Sequence, residues 1–526
     1  MPAIGSRTNN PAAVRTPLLL RATVLVSAAS LASRLLGLWR ENLLASRFGG
    51  LGEGHLDAYY AAFRVPDFLF NIVILSAGSA IFVPLFARAV RDGDDATNET
   101  VSNVMNVCMT LLVAVTLVCY LFLPWLSDLL TPGFDTAKKA ETLSLMYLML
   151  LSPLFFGLSS ILGSYLNVRK DFTSSVLSPV AYNLSLIAGI LFLSPSLGVR
   201  GVAWGVVVGS LLHVVVQLPA LRRFHFSYRA IWQPGAQYLR SAARLTLPRL
   251  FGIGVTQLNL TVDTVVAGLL ASGSLTVLSW VQNIQYLPLS LIGISVSITA
   301  FTVLSDQAAS GDIDAFRATL RRNLLAVLLL IVPATVLFLI LRVPVVDLVL
   351  NYGKFAAVPE NLSAASVALL AYVVSLPLQA MIPLLTRAFY ALQDTRTPVV
   401  AAVLGVIVNV ALSYLLVLRL GWGIAGLGMA FSAATLVNAA YLFVRLDGRV
   451  GLSAAGTFCA KFIHILLSGA LMVLAAYGIS LACTGFLPSN KASSAIMIAI
   501  VSFVGSLAYY TATRSLGLVR GYHPQL

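Results

Sequence analysis

The stretch YLNVRKDFTSSVLSPVAYN, residues 165–183, has a counterpart in the second half of the chain, YALQDTRTPVVAAVLGVIVN, residues 390–409. Two shorter pairs follow the same order: LTPGF (130–134) with LNYGKF (350–355), and GVRG (198–201) with GIAG (423–426). Polar positions that match in order across apolar sequence indicate an internal repeat. With six spans in each half, both halves insert in the same orientation, so a substrate path is expected between two lobes.

The composition around the repeat is that of an integral membrane protein. Of the 526 residues, 58% are hydrophobic and 10% are charged, whereas soluble proteins average about 45–50% apolar and about 25% charged residues. An ordinary soluble enzyme and a disordered chain are therefore excluded. The formal charge of +14 comes from Lys and Arg spread along the chain, which argues against a nucleic-acid partner.

Apolar stretches long enough to span a bilayer occupy most of the chain. They fall at residues 17–46, 56–86, 101–126, 141–168, 174–194, 198–221, 238–270, 275–304, 320–342, 362–391, 397–418, 423–445, 456–484 and 492–513. The sequence therefore predicts an all-α integral membrane protein with about 14 transmembrane helices. Two parallel six-helix repeats would form the two lobes, and two extra C-terminal helices would follow them.

The predicted organisation has four parts. They are an N-terminal tail (1–16), an N-lobe with spans 1–6 (17–229), a C-lobe with spans 7–12 (230–446), and spans 13 and 14 with the C-terminal tail (447–526). An even number of spans places both termini on one side of the membrane. Most Lys and Arg of the loops fall on that side, which identifies it as the cytoplasm.

Short catalytic motifs are missing from the sequence. It lacks GxxxxGK[ST], HExxH, GxSxG and paired-cysteine metal spacings. ATP hydrolysis by this chain is therefore not expected, and the predicted class is a transporter rather than an enzyme. A membrane acyl- or glycosyltransferase, which needs no such motif, is the catalytic alternative.

Charged residues inside the first two predicted spans are the strongest candidates for a site, because charge in hydrocarbon is costly. Arg34, Arg40 and Glu41 lie in span one, and Asp57 and Arg64 in span two. An excess of arginine in a cavity suits an anionic substrate, and the planar guanidinium suits phosphate in particular. The alternative is that these arginines are interfacial and pair with the two acids for structural reasons.

Polar residues in later spans offer a second, weaker candidate. Asp263 lies in span seven, and Asn409 and Ser413 lie one turn apart in span eleven. Their oxygen atoms could bind a cation or proton, or they could hydrogen-bond between helices. Asn283 is one of three amides that make span eight polar. Such amides either orient a substrate headgroup or connect helices.

Ordered motifs run through nearly the whole chain. They are SRLLGLWRENLLASRFG (33–49), DAYYAAFRVPDF (57–68), FVPLF (82–86), TPGF (131–134), GKF (353–355) and RAFYALQDTRTP (387–398). Together they resemble the lipid II flippase family (MurJ, also called MviN) of the multidrug/oligosaccharidyl-lipid/polysaccharide exporter superfamily. The resemblance implies a multi-pass protein of the bacterial cytoplasmic (inner) membrane that serves peptidoglycan biosynthesis and cell shape. It would move undecaprenyl-pyrophosphate-linked precursor from the inner to the outer leaflet by alternating access.

The resemblance also assigns roles to individual residues. The expected substrate-binding set is Ser33, Arg34, Arg40, Arg64 and Asn283. The acids Glu41 and Asp57 are expected to gate the cavity or to form salt bridges. For the sodium site reported in some members, the matching positions are Asp263, Asn409 and Ser413.

The chain departs from the family pattern at several of these positions. Phe70 and Asn283 stand where well-known members carry cavity arginines, and Leu75 and Tyr286 stand where they carry acids. At the sodium site, Ser413 replaces an acid and Phe431 replaces a hydroxyl-bearing residue. These changes leave the headgroup and the coupling ion open.

No cofactor is expected, so the energy for transport would come from Na⁺ or H⁺ coupling or from the membrane potential. The expected partners are the lipid-linked precursor, membrane lipids and proteins of cell-wall synthesis, and a monomer is the default state. Three alternatives stay open: a flippase for another polyprenyl-linked oligosaccharide, a cation-coupled exporter of the same superfamily, and a non-transporting scaffold of the cell-wall machinery.

Overall fold

A computed structural model describes residues 11–72, 82–453, 456–486, 488 and 490–518, and these residues are almost entirely helical. The helices are α1 (Pro11–Phe48), α2 (His55–Phe70), α3 (Val83–Asp92), α4 (Asp94–Leu130), α5 (Thr136–Met149), α6 (Ser152–Val168), α7 (Phe172–Ala188), α8 (Ser194–Leu197), α9 (Val199–Val215), α10 (Leu218–Arg223), α11 (Gln237–Gly268), α12 (Ser274–Pro288), α13 (Ser295–Ala309), α14 (Ile313–Leu350), α15 (Gly353–Ala356), α16 (Glu360–Val373), α17 (Leu376–Ala391), α18 (Arg396–Ser413), α19 (Gly423–Val450), α20 (Gly456–Phe486) and α21 (Lys491–Ser515). The π-helical segments Gly189–Leu193, Leu289–Ile294 and Tyr414–Arg419 continue α7, α12 and α18.

Ten helical segments among the described residues are long and apolar enough to cross a bilayer. Helices α16 and α17, bent by 43° at their junction, make an eleventh candidate when counted as one span. The prediction of an all-α, multi-pass membrane protein is therefore confirmed, whereas the number fourteen stays a prediction. The three predicted spans outside this set are 17–46, 56–86 and 238–270, and their described residues overlap helices α1, α2 and α11.

Packing divides the chain into two compact units. Unit 1 contains the described residues of Met1–Arg40, Val65–Leu121 and Tyr147–Thr246. Unit 2 contains the described residues of Glu41–Arg64, Phe122–Met146 and Leu247–Leu526. The predicted tail and lobe boundaries stay predictions.

The core of unit 1 is built from helices α3, α4, α6, α9 and α10, with Phe86 and Tyr165 fully buried. Helix α9 packs closely on α7, because a Cβ at Gly205 would lie only 3.1 Å from the carbonyl oxygen of Ser185. The Ser185 hydroxyl donates a hydrogen bond of 3.0 Å to the Gly205 carbonyl. Small residues thus let two apolar helices approach closely and add a polar contact, as is common in membranes.

The core of unit 2 is built mainly from α13, α14, α17 and α19, with Phe316 and Phe389 fully buried. The two C-terminal helices, α20 and α21, pack against each other and against α14. Tyr509 on α21 donates a hydrogen bond of 3.0 Å to the Leu329 carbonyl of α14. The C-terminal helices are thereby attached to unit 2.

Candidate functional site

A polar cluster in unit 1 holds the Arg40 guanidinium on helix α1. Asn183 on α7 accepts a hydrogen bond of 3.2 Å from Arg40 Nη1. Its amide nitrogen donates to the carbonyl and hydroxyl oxygens of Ser33, both at 3.2 Å. Ser33 and Arg40 lie roughly two turns apart and therefore on the same helix face. Arg34, next to Ser33, is half-buried.

Asn183 is a residue whose role the sequence analysis missed. In the sequence, Asn183 is the last residue of the first repeated stretch. Its position in the repeat was the available signal, but the bond to Arg40 joins residues 143 positions apart. Such a contact depends on the packing of α1 against α7, which residue spacing does not reveal.

Replacing Asn183 with alanine is expected to lower transport about tenfold, because a hydrogen bond to a charged group contributes about 1.5–3 kcal/mol. The change removes one acceptor of the Arg40 guanidinium and both bonds to Ser33. Transport is measured by rescue of a strain depleted of the native protein, at matched expression. Leu184→Ala, a truncation at an exposed position of the same helix, is the control and should rescue fully. Equal rescue by both variants would contradict a role for Asn183.

Glu41 is buried in unit 2, at 3% exposure. One carboxylate oxygen accepts a hydrogen bond from the Tyr60 hydroxyl at 3.0 Å, and the other accepts from Asn283 Nδ2 at 3.1 Å. Asn283 stands where the resembled family carries an arginine. In this chain the neutral Asn283 amide therefore contacts the Glu41 carboxylate.

Asp57 is buried at the N-terminus of helix α12, also in unit 2. Its Oδ1 accepts hydrogen bonds from the backbone N–H and the hydroxyl of Thr276, at 2.8 and 2.7 Å. Its Oδ2 accepts from the backbone N–H of Gly273 at 2.7 Å and from Lys138 Nζ at 2.6 Å. The ion-pair partner of Asp57 is therefore a lysine of helix α5 and not one of the arginines considered above.

The arrangement at Asp57 follows from helix-end chemistry. The first N–H groups of a helix have no intrahelical acceptor, and the helix dipole favours a negative charge there. The cap residue Gly273 has φ 90°, and a Cβ on it would lie 2.1 Å from the Gly50 carbonyl oxygen, so only glycine fits. Because glycine has no side chain, a carboxylate from another helix supplies the cap.

Arg64 contacts a neutral hydroxyl in unit 2. Its Nε donates a hydrogen bond of 2.6 Å to Thr264 Oγ1 on α11. Thr264 follows Asp263, whose side chain is completely buried. The Asp263 Oδ1 accepts a hydrogen bond, whereas its Oδ2 has no hydrogen-bond partner.

The three candidate cation ligands come together in unit 2. Asn409 Nδ2 donates to Asp263 Oδ1 at 2.8 Å, and the Ser413 hydroxyl lies 3.5 Å from Asn409 Oδ1. Asn259, which the sequence analysis did not select, accepts from Asn409 at 2.9 Å. A buried carboxylate oxygen that has no hydrogen-bond partner is suited to bind a hard cation, since such ions prefer oxygen ligands.

The structure shows the surroundings of residues at which the chain departs from the family pattern. The Phe70 ring packs on Phe156 with centroids 5.5 Å apart, so aromatic packing replaces a charge there. Phe431 packs on Tyr372 at 5.0 Å. Tyr286 is 53% exposed. Leu75 lies outside the described residues.

Known proteins resemble the chain over most of its length. The family model described as lipid II flippase MurJ matches residues 49–493. The lipid II flippase MurJ of Burkholderia cenocepacia is 30% identical over 469 residues, which cover 87% of this chain and 89% of that protein. The probable lipid II flippase MurJ of Vibrio cholerae is 30% identical over 445 residues, covering 81% and 82%.

Solved structures show the same likeness. A lipid II flippase MurJ in an inward closed conformation superposes with a TM-score of 0.77 at 25% identity, covering 94% of this chain and all of that one. An inward-facing multidrug resistance MATE family transporter of the MOP superfamily gives a TM-score of 0.67 at 15% identity, covering 82% and 99%. The second match bears on the fold alone.

Proposed function

The chain belongs to the MurJ family of lipid II flippases, and we propose that it moves undecaprenyl-pyrophosphate-linked peptidoglycan precursor across the bacterial cytoplasmic membrane. The observation that carries the proposal is the family match over residues 49–493. The match confirms the predicted family and the predicted class, a transporter rather than an enzyme. Alternating access fits the inward closed conformation of the MurJ structure that the chain resembles.

Arg34 and Arg40 are the proposed capture groups for the pyrophosphate. The hydrogen bond from Arg40 to Asn183 helps to orient the guanidinium. An oriented guanidinium binds phosphate oxygens through two parallel hydrogen bonds. Arg64 donates a hydrogen bond to the Thr264 hydroxyl. It stays a proposed substrate contact, as does Asn283.

The two acids are proposed to act in gating rather than in substrate capture. Glu41 is engaged by Tyr60 and Asn283, and Asp57 by Lys138 and the first N–H groups of α12. A carboxylate that caps a helix can bind or release that helix end as a whole. The Asp57 contact is therefore suited to hold the start of α12 in one state of the transport cycle.

The proposed architecture is fourteen spans with two six-helix repeats and two C-terminal helices. Local geometry supports the repeat. Each repeated stretch passes through a left-handed residue, Lys170 (φ 62°) or Gln393 (φ 60°), and then an aspartate, Asp171 or Asp394. Each aspartate accepts a hydrogen bond from the hydroxyl three positions later. The helix that follows, α7 or α18, ends in a π-helical segment before the glycine-containing turn that precedes α9 or α19.

The proposed energy source is the membrane potential or a coupled cation. A monovalent cation would be held by Asp263, Asn409 and Ser413, and it would supply positive charge to the buried carboxylate of Asp263. The proposal includes cytoplasmic termini, as the basic-residue bias predicts, and a monomer whose partners are the lipid-linked precursor and proteins of cell-wall synthesis.

The proposed function is tested by depletion of this protein in its native host. We expect lipid II to accumulate in the inner leaflet, and restored expression of the chain should reverse the accumulation. Leaflet distribution is measured by the accessibility of the headgroup to an externally added enzyme. Accumulation of a different polyprenyl-linked oligosaccharide would favour the alternative flippase. An unchanged distribution of all such lipids would favour a scaffold.

A further inference from the structure

A basic cavity of about 550 Å³ lies between the start of α18 and the end of α19, within unit 2. Three arginines line it: Arg396 on the first turn of α18, and Arg445 and Arg449 on α19. Arg445 and Arg449 are four residues apart and therefore share one helix face. Arg34 and Arg40, the proposed capture groups, are not among the residues that line this cavity.

Within the described part of the chain, two of the three arginines form no ion pair with an acid. Arg449 pairs with Asp394 at 2.7 Å. Burial raises the pKa of Asp394, but hydrogen bonds from Thr397 and the nearby Arg449 outweigh it, so the net pKa is lowered and Asp394 stays ionised. Arg445 lies over the Tyr441 ring at 5.3 Å. Arg396 and Arg445 form no ion pair among the described residues.

The cavity becomes apolar toward the middle of the two helices. Val400 lies one turn beyond Arg396, and Val444 and Tyr441 precede Arg445 on α19. Val444 is 66% exposed. A positive end and an apolar wall about one turn apart match a lipid, whose phosphate and first acyl carbons are separated in the same way. A soluble phosphate ion has no apolar part that could contact the valines.

We propose that this cavity binds the phosphate of an anionic membrane phospholipid. Arg396 and Arg445 contact the phosphate oxygens, and Val400 and Val444 contact the start of the acyl chains. Basic pockets between the ends of membrane helices recognise anionic headgroups in this way. The bound lipid would hold the start of α18 against the end of α19. Its binding does not depend on the transported substrate.

The proposal is tested on the purified full chain by native mass spectrometry with phosphatidylglycerol as the probe. Arg396→Gln/Arg445→Gln is expected to lower the apparent affinity for phosphatidylglycerol about tenfold. The matched control is Arg222→Gln/Arg223→Gln, which removes the same charge at two exposed positions outside the cavity, and its affinity should not change. An equal loss in both double variants would show non-specific attraction and overturn the proposal.

A second variant fills the cavity without changing its charge. A Cβ at Gly448 would meet no atom within 4 Å, so Gly448→Leu places a side chain in the open space without straining the helix. It should also weaken phosphatidylglycerol binding. An unchanged affinity of this variant for phosphatidylglycerol would overturn the assignment of the cavity as a phospholipid site.

Competition identifies the source of the phosphate. Inorganic phosphate at the same concentration should not displace phosphatidylglycerol, and undecaprenyl pyrophosphate should displace it no better than unlabelled phosphatidylglycerol does. Displacement by inorganic phosphate would assign the site to a soluble anion. Preferential displacement by undecaprenyl pyrophosphate would assign it to the transported lipid. Either result would overturn the proposal, and neither would bear on transport by Arg34 and Arg40.

Discussion

Asp57→Ala is expected to lower the free energy of unfolding in detergent by about 3–5 kcal/mol, the usual cost of removing one partner of a buried ion pair. The carboxylate accepts four hydrogen bonds, from Lys138, Gly273 and two atoms of Thr276. Without it, the Lys138 ammonium loses its counter-ion at a position where its side chain is only 12% exposed. The first N–H groups of α12 lose their acceptors at the same time.

A matched control separates this effect from the loss of any ion pair. Asp128 pairs with Lys139 at 3.2 Å, but its side chain is 71% exposed. Because exposed pairs contribute about 0–1 kcal/mol, Asp128→Ala should change the free energy of unfolding by less than about 1 kcal/mol. Similar losses for Asp57→Ala and Asp128→Ala would contradict the capping role.

Two further measurements identify the partners of Asp57. Asp57→Asn should be less costly in a Lys138→Met background than in the native protein, because the lysine is then no longer left without a counter-ion. Hydrogen exchange at the Gly273 and Thr276 amides should become faster in Asp57→Ala. Additive effects of the two substitutions would show that Lys138 and Asp57 are not coupled.

Arg34→Ala and Arg40→Ala are each expected to lower transport about 10- to 100-fold, since a hydrogen bond to an ionised group contributes about 1.5–3 kcal/mol. Arg40→Lys keeps the positive charge but loses the planar fork, so it should rescue only in part. Arg47→Ala removes an exposed arginine of the same helix and should rescue fully. Transport is measured by rescue of depleted cells at matched expression. Full rescue by Arg34→Ala and Arg40→Ala would contradict capture by these residues.

The fold was predictable because its signal is distributed along the chain. Composition and apolar stretches predicted an all-α membrane protein, and ordered motifs predicted the family. Helices α1, α2 and α11 are not among the membrane-span candidates of the described residues, and each carries charged residues. Arg34, Asp57 and Asp263 lie on these three helices.

The candidate site was predictable only in part. Asp263, Asn409 and Ser413 come together as their positions in the resembled family imply. The partners of the site residues were missed, because they come from distant segments. Lys138 is 81 positions from Asp57, and Asn183 is 143 positions from Arg40. Nothing in the local pattern around a lysine or an asparagine indicates which buried charge it will meet after folding.

Binding of lipid II to the purified protein is the most direct test of pyrophosphate capture by Arg34 and Arg40. The dissociation constants of the native protein, Arg34→Ala/Arg40→Ala and Arg47→Ala are compared in the same detergent. We predict that the double variant binds about 100-fold more weakly, as two lost charge-assisted contacts imply, and that Arg47→Ala binds like the native protein. Unchanged affinity in a folded double variant would contradict the assignment of Arg34 and Arg40.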